Sequence, residues 1–342
     1  MGTNKAIIHG TGLMGTSIGL GLSATGWEVS GWDPDREASL AAREKGAISS
    51  ILSSPDDGVA DTDLLVLAGP PAATIEALAT METGALVTDI SSVKSPIVDA
   101  ARRLRRFVPG HPMAGSASTG PEHASAHLFQ GATWVLCDDL ANNADIERMK
   151  EVVAALGANP VVMDAAAHDE RVALVSHLPR LLASILIQMA EDNPGAAELS
   201  AGSFRDLTRV AGSDPGWWSD ILIANKGALD RTIDQMQRQL DRWREEIANE
   251  DATAMQGHLA ATAAVRIGLG APVAAVRVIL FDKPGEIGLV GRSLERSGVD
   301  LRDLQIRHAE YGGGGVLTLS VSEEEAGLLK AALVEDGFEI ET

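Results

Sequence analysis

KAIIHGTGLMGTSIGLGLSA, residues 5–24, decides the fold. Lys5 to His9 reads as a short buried strand and Thr16 to Ala24 as a helix. Between them Gly10, Gly12 and Gly15 form G-x-G-x-x-G at a strand-to-helix turn, with Leu13 and Met14 filling it. The first glycine permits a tight turn, the second lets the backbone approach a pyrophosphate, and the third lets helix and strand pack closely. The helix N-terminus offers free N–H groups to the phosphates. A second strand, Trp27 to Trp32, ends at Asp33, 21 positions after Gly12, where an acid meets the adenosine ribose hydroxyls. The expected ligand is therefore a dinucleotide held by Gly10, Gly12, Leu13, Met14, Gly15, Asp33 and Arg36. Asp33 repels a 2′-phosphate and Arg36 is the counterweight, so NAD is expected over NADP.

Working outward, 342 residues suggest two or three domains, and 45% hydrophobic content is enough to build cores. No uninterrupted apolar run reaches about 18 residues, so no transmembrane helix is expected. Met1 to Lys5 is too short for a signal peptide. The single cysteine, Cys137, excludes an internal disulfide framework and a cysteine-cluster metal site, and fits a reducing cytoplasm. A net charge of −20 argues against nucleic acid and anionic membrane as partners. A small anionic substrate would then need a local group of basic side chains.

The strand–helix alternation continues. Arg36 to Lys45 and Ala73 to Thr80 read as helices. Thr62 to Ala68, Ala85 to Ile90, Val108 to Met113 and Trp134 to Cys137 read as strands. Near-continuous apolar strands such as TDLLVLA belong in a parallel sheet covered on both faces. The class is α/β, a doubly wound sheet with its ligand beyond the carboxyl ends of the strands. Two stretches follow such ends: Ser91-Ser92-Val93-Lys94, and Gly110-His111-Pro112-Met113-Ala114-Gly115-Ser116. His111 reads either as a placed acid–base group or as a loop histidine bonded only locally.

After Asp164 the pattern turns helical. Val172, Val175, Leu178, Leu182, Ile185 and Met189 recur at three- and four-residue steps through His168 to Met189, with a kink or break expected at Pro179. Ser213 or Asp214 resembles a cap for a helix over Trp217 to Asn225. Ile233, Met236, Leu240, Trp243 and Ile247 form a narrow seam, either an internal core stripe or a subunit interface. Gly268 to Pro272 reads as a linker. Beyond it come strand (Val276–Phe281), helix (Ile287–Ser297), strand (Leu301–His308), a turn at Gly312–Gly315, strand (Gly315–Val321), helix (Glu323–Asp336) and strand (Phe338–Glu341). This β-α-β-β-α-β order is ferredoxin-like. The expected domains are 1–164 (dinucleotide-binding), 165–271 (all-helical, substrate and dimerisation) and 272–342.

Taken together, Gly10 to Gly15, Val87-Thr88-Asp89, Ser92-Val93-Lys94, Gly110 to Gly115, Ser176-His177-Leu178-Pro179, Phe204 to Arg209, and Ser213-Asp214-Pro215 with Trp218 resemble the prephenate dehydrogenase family. The last region, with Asp282-Lys283-Pro284-Gly285, resembles an ACT regulatory domain. The resemblance implies a Rossmann-type domain, a homodimer through the helical domain, and oxidative decarboxylation of prephenate to 4-hydroxyphenylpyruvate with hydride transfer to NAD⁺ in tyrosine biosynthesis. It implies that His111 accepts the ring hydroxyl proton and that Ser92 orients that hydroxyl. Arg209 would bind a substrate carboxylate, supported by Asp206 through a charge-assisted hydrogen bond. His177 and His168 would line the pocket, with Gly202 and Trp218 in the same substrate-binding set. An aromatic amino acid, tyrosine above all, is the implied effector of the ACT-like domain.

The residue chemistry agrees: a neutral histidine can take the proton, and an arginine fork suits a carboxylate. Plainer readings stay open, with His177 a satisfied core histidine and Arg209 an ion-pair partner. The histidines lack metal-ligand spacing, so no metal is expected. Where the family often has an acid after HPMAG this chain has Ala117, and where it often has LPH this chain has Leu178-Pro179-Arg180. Arg180 either meets the substrate tail or reaches solvent. The competing substrates are arogenate and 4-amino-4-deoxyprephenate. The competing classes are a β-hydroxyacid dehydrogenase or imine reductase, disfavoured because His168 to Met189 holds no lysine, and a non-catalytic nucleotide sensor.

Overall fold

The computed structural model describes residues 3–114, 119–212, 215–268, 273–281, 283–308 and 315–341. The alternation of the first region becomes β1 (Lys5–His9), α1 (Leu13–Ala24), β2 (Glu28–Trp32), α2 (Arg36–Glu44), β3 (Ser50–Ile51), β4 (Leu64–Leu67), α3 (Pro71–Thr80), β5 (Leu86–Asp89), α4 (Ser95–Ala100) and β6 (Phe107–Val108). The six strands form one sheet in the order β3-β2-β1-β4-β5-β6, every pair parallel. This is the Rossmann order, with the reversal beside β1. Successive side chains of a strand point to opposite faces. Ile8, Leu64 and Val66 accordingly join the core under α1, while Ile7, Leu65 and Leu67 join the core under α3 and α4. Each buried side chain of this size contributes about 1.5–3 kcal/mol.

The strand expected over Val108 to Met113 is two strands in two sheets. Pro109 has no N–H to give to a ladder, so pairing with β5 stops at Val108. The Pro109 carbonyl instead accepts from the Cys137 amide at 2.8 Å. The chain thereby enters a second, three-stranded sheet of β7 (Gly110–Pro112), β8 (Thr133–Cys137) and β9 (Asn159–Met163), with α5 (Asn143–Ala155) between the last two. This switch delivers His111 to the carboxyl end of the main sheet.

The next elements are α6 (Ala165–Val172), a π-helical turn (Ala173–His177), α7 (Leu178–Glu191), α8 (Gly202–Thr208), α9 (Pro215–Ala224) and α10 (Lys226–Ala248). Asp164 caps α6 by accepting from the Ala167 amide at 2.8 Å. Pro179 does not break the rod from Ala165 to Glu191. Its ring and missing donor are absorbed by the wider turn just before it. That rod is long and apolar enough to cross a membrane, with a mean hydropathy of 1.5, which the search for an uninterrupted apolar run does not detect. Its buried side nevertheless carries His168, Asp169, His177 and Arg180, as befits a core helix. Val175, Ile185 and Met189 of the expected stripe are exposed.

The chain divides into two compact units, 1–238 and 239–342. The second holds α11 (Ala252–Gly268), which carries no clear sequence signal, then β10 (Val273–Leu280), α12 (Glu286–Ser297), β11 (Asp303–His308), β12 (Gly315–Ser322), α13 (Ala326–Glu335) and β13 (Ile340–Glu341). Its sheet is antiparallel, in the order β11-β12-β10-β13. Val276, Val278, Leu317 and Leu319 pack on Val290, Leu329 and Leu333 of the two helices. Of the expected linker Gly268–Pro272 and turn Gly312–Gly315, Gly268 ends α11 and Gly315 opens β12; their other residues, with the cap at Ser213 or Asp214, Ala117 and Asp282, lie outside the described residues.

Candidate active site

The nucleotide end is built from β1, α1 and β2. Gly10 has φ +94°, and a Cβ there would lie 2.7 Å from the Ala68 backbone, so only glycine makes this turn. A Cβ on Gly15 would collide with the Gly10 carbonyl oxygen, which is the close helix–strand approach. Over Gly12 nothing lies within 4 Å, leaving its backbone open. The α1 N-terminus has no side-chain cap and no acid in its first turn, with Leu13 and Met14 half-buried there. Asp33 Oδ2 accepts from the Thr11 amide at 2.6 Å and Oδ1 from the Asp35 amide at 2.9 Å, so the carboxylate stands fixed beside the glycine turn. Arg36 opens α2 and is exposed. An open glycine, bare helix amides and a fixed carboxylate fit a dinucleotide.

The second group of polar residues starts where β5 ends. Asp89 Oδ2 accepts from Lys94 Nζ at 2.5 Å and from the Ser91 amide at 2.8 Å. Lys94 Nζ also donates to the Gly110 carbonyl at 2.5 Å, and the Gly110 amide donates to Asp89 Oδ1 at 3.2 Å. The fully buried pair thus grips both sides of Gly110 and sets the position of His111. His111 Nδ1 lies 2.8 Å from His168 Nε2, and His168 Nδ1 lies 2.8 Å from Asp169 Oδ1. Asp169 reaches back to the loop after β5, accepting the Lys94 amide on Oδ1 and the Ser95 amide on Oδ2 at 2.8 Å each. Asn225 Nδ2, just past α9, donates to the Asp169 carbonyl at 2.8 Å and faces His177 Nδ1 at 3.1 Å. The His177 ring is edge-on to Trp218 at 6.1 Å, and the Arg180 guanidinium lies 5.7 Å from the Trp218 ring.

Burial sets the electrostatics here. It holds His111 well below the usual imidazole range, and the neighbouring His168, Lys94 and His177 push the same way. Burial lowers His177 to about 4, with Asp169 opposing and His168 assisting. For Asp169 burial is the largest single influence and acts upward. The hydrogen bonds from His168, Ser95 and Lys94 together outweigh it and hold the carboxyl below its ordinary range.

The structure therefore gathers His111, His168, His177 and Trp218, and adds Arg180. It leaves others apart. Ser92 is half-buried and makes no hydrogen bond to His111 among the described residues. Asp206 and Arg209 are both exposed and form no ion pair among the described residues, contrary to the expected charge-assisted bond. Arg209 is the capping residue that ends α8 and opens a 3₁₀ turn (Arg209–Gly212). Gly202 opens α8, half-buried. Arg180 does not reach solvent, being only 8% exposed. Lys94 stands in the motif after β5 with no role of its own in the sequence reading, and Asp169 and Asn225 carry none either. The one local signal was Asp169 standing beside His168, since its amide partners lie 74 and 75 residues away.

The chain is similar to known proteins. Residues 18–162 match the family model "Prephenate dehydrogenase, nucleotide-binding domain" and residues 164–261 match "Prephenate dehydrogenase, dimerization domain". Prephenate dehydrogenase of Lactococcus lactis subsp. cremoris is 34% identical over 267 residues, 74% of this chain and 73% of that protein. Prephenate dehydrogenase of Bacillus subtilis is 28% identical over 98% of this chain and 97% of its own. A crystal structure of prephenate dehydrogenase from A. aeolicus, in complex with hydroxyphenyl propionate and NAD⁺, superposes with a TM-score of 0.71 at 26% identity, covering 79% of this chain and 99% of that one. With both halves of its first 261 residues matched in order, the chain belongs to the prephenate dehydrogenase family.

Proposed function

We propose that this chain is an NAD-dependent dehydrogenase that oxidises and decarboxylates prephenate to 4-hydroxyphenylpyruvate. The observation that carries the reading is His111: a buried, neutral imidazole at the carboxyl end of the sheet that bears the dinucleotide turn. Gly10, Gly12, Leu13, Met14 and Gly15 would hold the pyrophosphate of NAD⁺ and Asp33 its adenosine ribose. Once bound, the nicotinamide supplies the hydride acceptor.

His111 takes the ring hydroxyl proton as hydride leaves C4, and Ser92 orients that hydroxyl. After CO₂ departs, the electron pair left behind makes the ring aromatic and places charge on the C4 oxygen. His111 returns its proton there, so the imidazole ends neutral. A weakly basic imidazole suffices because decarboxylation and aromatisation pull the sequence forward. Arg209 anchors a substrate carboxylate through its planar fork. His177, His168, Trp218 and Gly202 complete the wall. The buried Arg180 favours the keto-acid tail of prephenate over the ammonium of arogenate. The decisive experiment is kcat/KM for prephenate, arogenate and 4-amino-4-deoxyprephenate with NAD⁺ and NADP⁺. Prephenate with NAD⁺ is expected to be the best pair, and a best pair containing arogenate would reassign the substrate.

The domains are read as 1–164, 165–271 and 272–342, in a cytoplasmic homodimer. The dimerisation-domain match and the exposed Val175, Ile185 and Met189 support pairing through the helices. The β-α-β-β-α-β order and antiparallel sheet support a ferredoxin-like, ACT-like C-terminal domain with tyrosine as effector. At its first strand–helix loop the Glu286 carboxylate already accepts from the Phe281 amide at 3.0 Å and the Lys283 amide at 3.3 Å. A carboxylate ligand there would have to displace Glu286.

A further inference from the structure

A neutral histidine carries one ring proton, and its neighbours decide which nitrogen holds it. Around Asp169 those neighbours leave no freedom. An ionised carboxylate only accepts hydrogen bonds. The 2.8 Å contact from Asp169 Oδ1 to His168 therefore places a proton on His168 Nδ1. A His168 ring carrying that one proton has a bare Nε2. Its 2.8 Å contact with His111 places the His111 proton on Nδ1 and leaves His111 Nε2 bare.

The other histidine is set the opposite way. An amide nitrogen only donates. Asn225 Nδ2 gives one hydrogen to the Asp169 carbonyl and faces His177 Nδ1 with the other. His177 Nδ1 must accept, so its proton sits on Nε2. One residue thus governs both rings, through its side chain on one path and its backbone on the other. The same carboxylate holds the amides of Lys94 and Ser95, which close the loop carrying Ser92.

We propose that Asp169 and Asn225 are positioning residues that lock His111 and His177 in opposite tautomers, His111 presenting a bare Nε2 to the substrate hydroxyl proton and His177 an Nε2–H to an anionic substrate group. The proposal rests on the reading of His111 as the base. It follows the logic by which a buried carboxylate fixes the tautomer of a catalytic histidine elsewhere, here with a second imidazole interposed.

The test uses full-length protein saturated with NAD⁺ and labelled with ¹⁵N-histidine. Long-range ¹H–¹⁵N correlation spectra at neutral pH distinguish the two tautomers of each ring. His111 is expected as Nδ1–H and His177 as Nε2–H. Asp169→Asn should scramble the His111 tautomer and lower kcat by about 10²-fold or more, with NAD⁺ affinity unchanged. His168→Gln, whose amide can donate to Asp169 and accept from His111, should keep the His111 Nδ1–H tautomer, and His168→Leu should lose it. Asn225→Leu should release His177 and act on KM more than on kcat. An Nε2–H tautomer of His111 in the wild-type protein overturns the proposal, even if the variants fail to fold. So does wild-type kcat in Asp169→Asn when His111→Asn is inactive, a result that leaves the base reading intact. Full turnover by His111→Asn overturns the base reading and, with it, the role given to the lock.

Discussion

Lys94 and Asp89, fully buried, meet at 2.5 Å. Both also hold Gly110, so this ion pair fastens the strand that carries His111 to the end of β5. A buried pair adds little net stability, but removing one partner strands the other charge. Lys94→Met is expected to cost about 3–5 kcal/mol, read as a fall in the urea midpoint. A change of under about 1 kcal/mol would mean that water replaces the ammonium.

Arg209→Ala should chiefly raise KM for prephenate, because the anchor acts before and during the reaction. A lost charged hydrogen bond corresponds to about a 10- to 100-fold increase. Arg209→Lys should recover only part of it, since the fork is gone. An unchanged KM in a folded Arg209→Ala enzyme would transfer the anchor to Arg180 or Arg205.

On the reading of Asp33 as the ribose acceptor, cofactor choice hangs on one carboxylate. Asp33→Ser should narrow or reverse the preference for NAD⁺ over NADP⁺, measured as the ratio of kcat/KM values, with Arg36 then free to meet a 2′-phosphate. Because Asp33 also holds the Thr11 amide, affinity for NAD⁺ should fall too. A wild-type enzyme that already prefers NADP⁺ would show that Arg36 prevails.

Acid should unfold the protein in two stages. His9 and His177 are both lowered to about 4, chiefly by burial, from an unfolded value of 6.5. Between these values the unfolded chain binds more protons, so stability rises with pH and is lost as pH falls from about 6.5 toward 4. Asp169, lowered in the folded state, adds a loss that begins only near its unfolded value of 3.8 and grows below it. The melting temperature should therefore drop measurably between pH 7 and pH 5, and His9→Gln should flatten that slope. A level profile over this range would mean that these rings are protonated without unfolding.

Tyrosine should inhibit the full chain and do so weakly or not at all after removal of residues 272–342, while hydride transfer survives. Equal inhibition of both forms, competitive with prephenate, would place tyrosine in the active site.

The first half of the fold is legible in the sequence because local signals and global packing agree there: a two-faced apolar strand, a glycine turn, a helix and an acid. β9 escapes notice because Pro160 sits inside it and its flank is half exposed. α11 escapes because its alanines make no apolar stripe. His111 and His177 stand in recognisable motifs. Asp169 acquires its meaning only from a loop far away in the chain, which no spacing rule reports.

The π turn at Ala173–His177 has a consequence for phase. His168 and His177 are nine residues apart. Nine residues of unbroken α-helix rotate through about 900°, which would aim the two rings in opposite directions. One surplus residue in the rod takes back about 100°, and both rings come to lie inside, each 1% exposed. The turn is a vernier between the relay half of the helix and the anchoring half. Deleting a single residue within 173–176 would remove the surplus and restore plain α-helix with His177 and Arg180 still in phase with His168, whereas inserting one more would swing both together by about 100°, more than a quarter revolution.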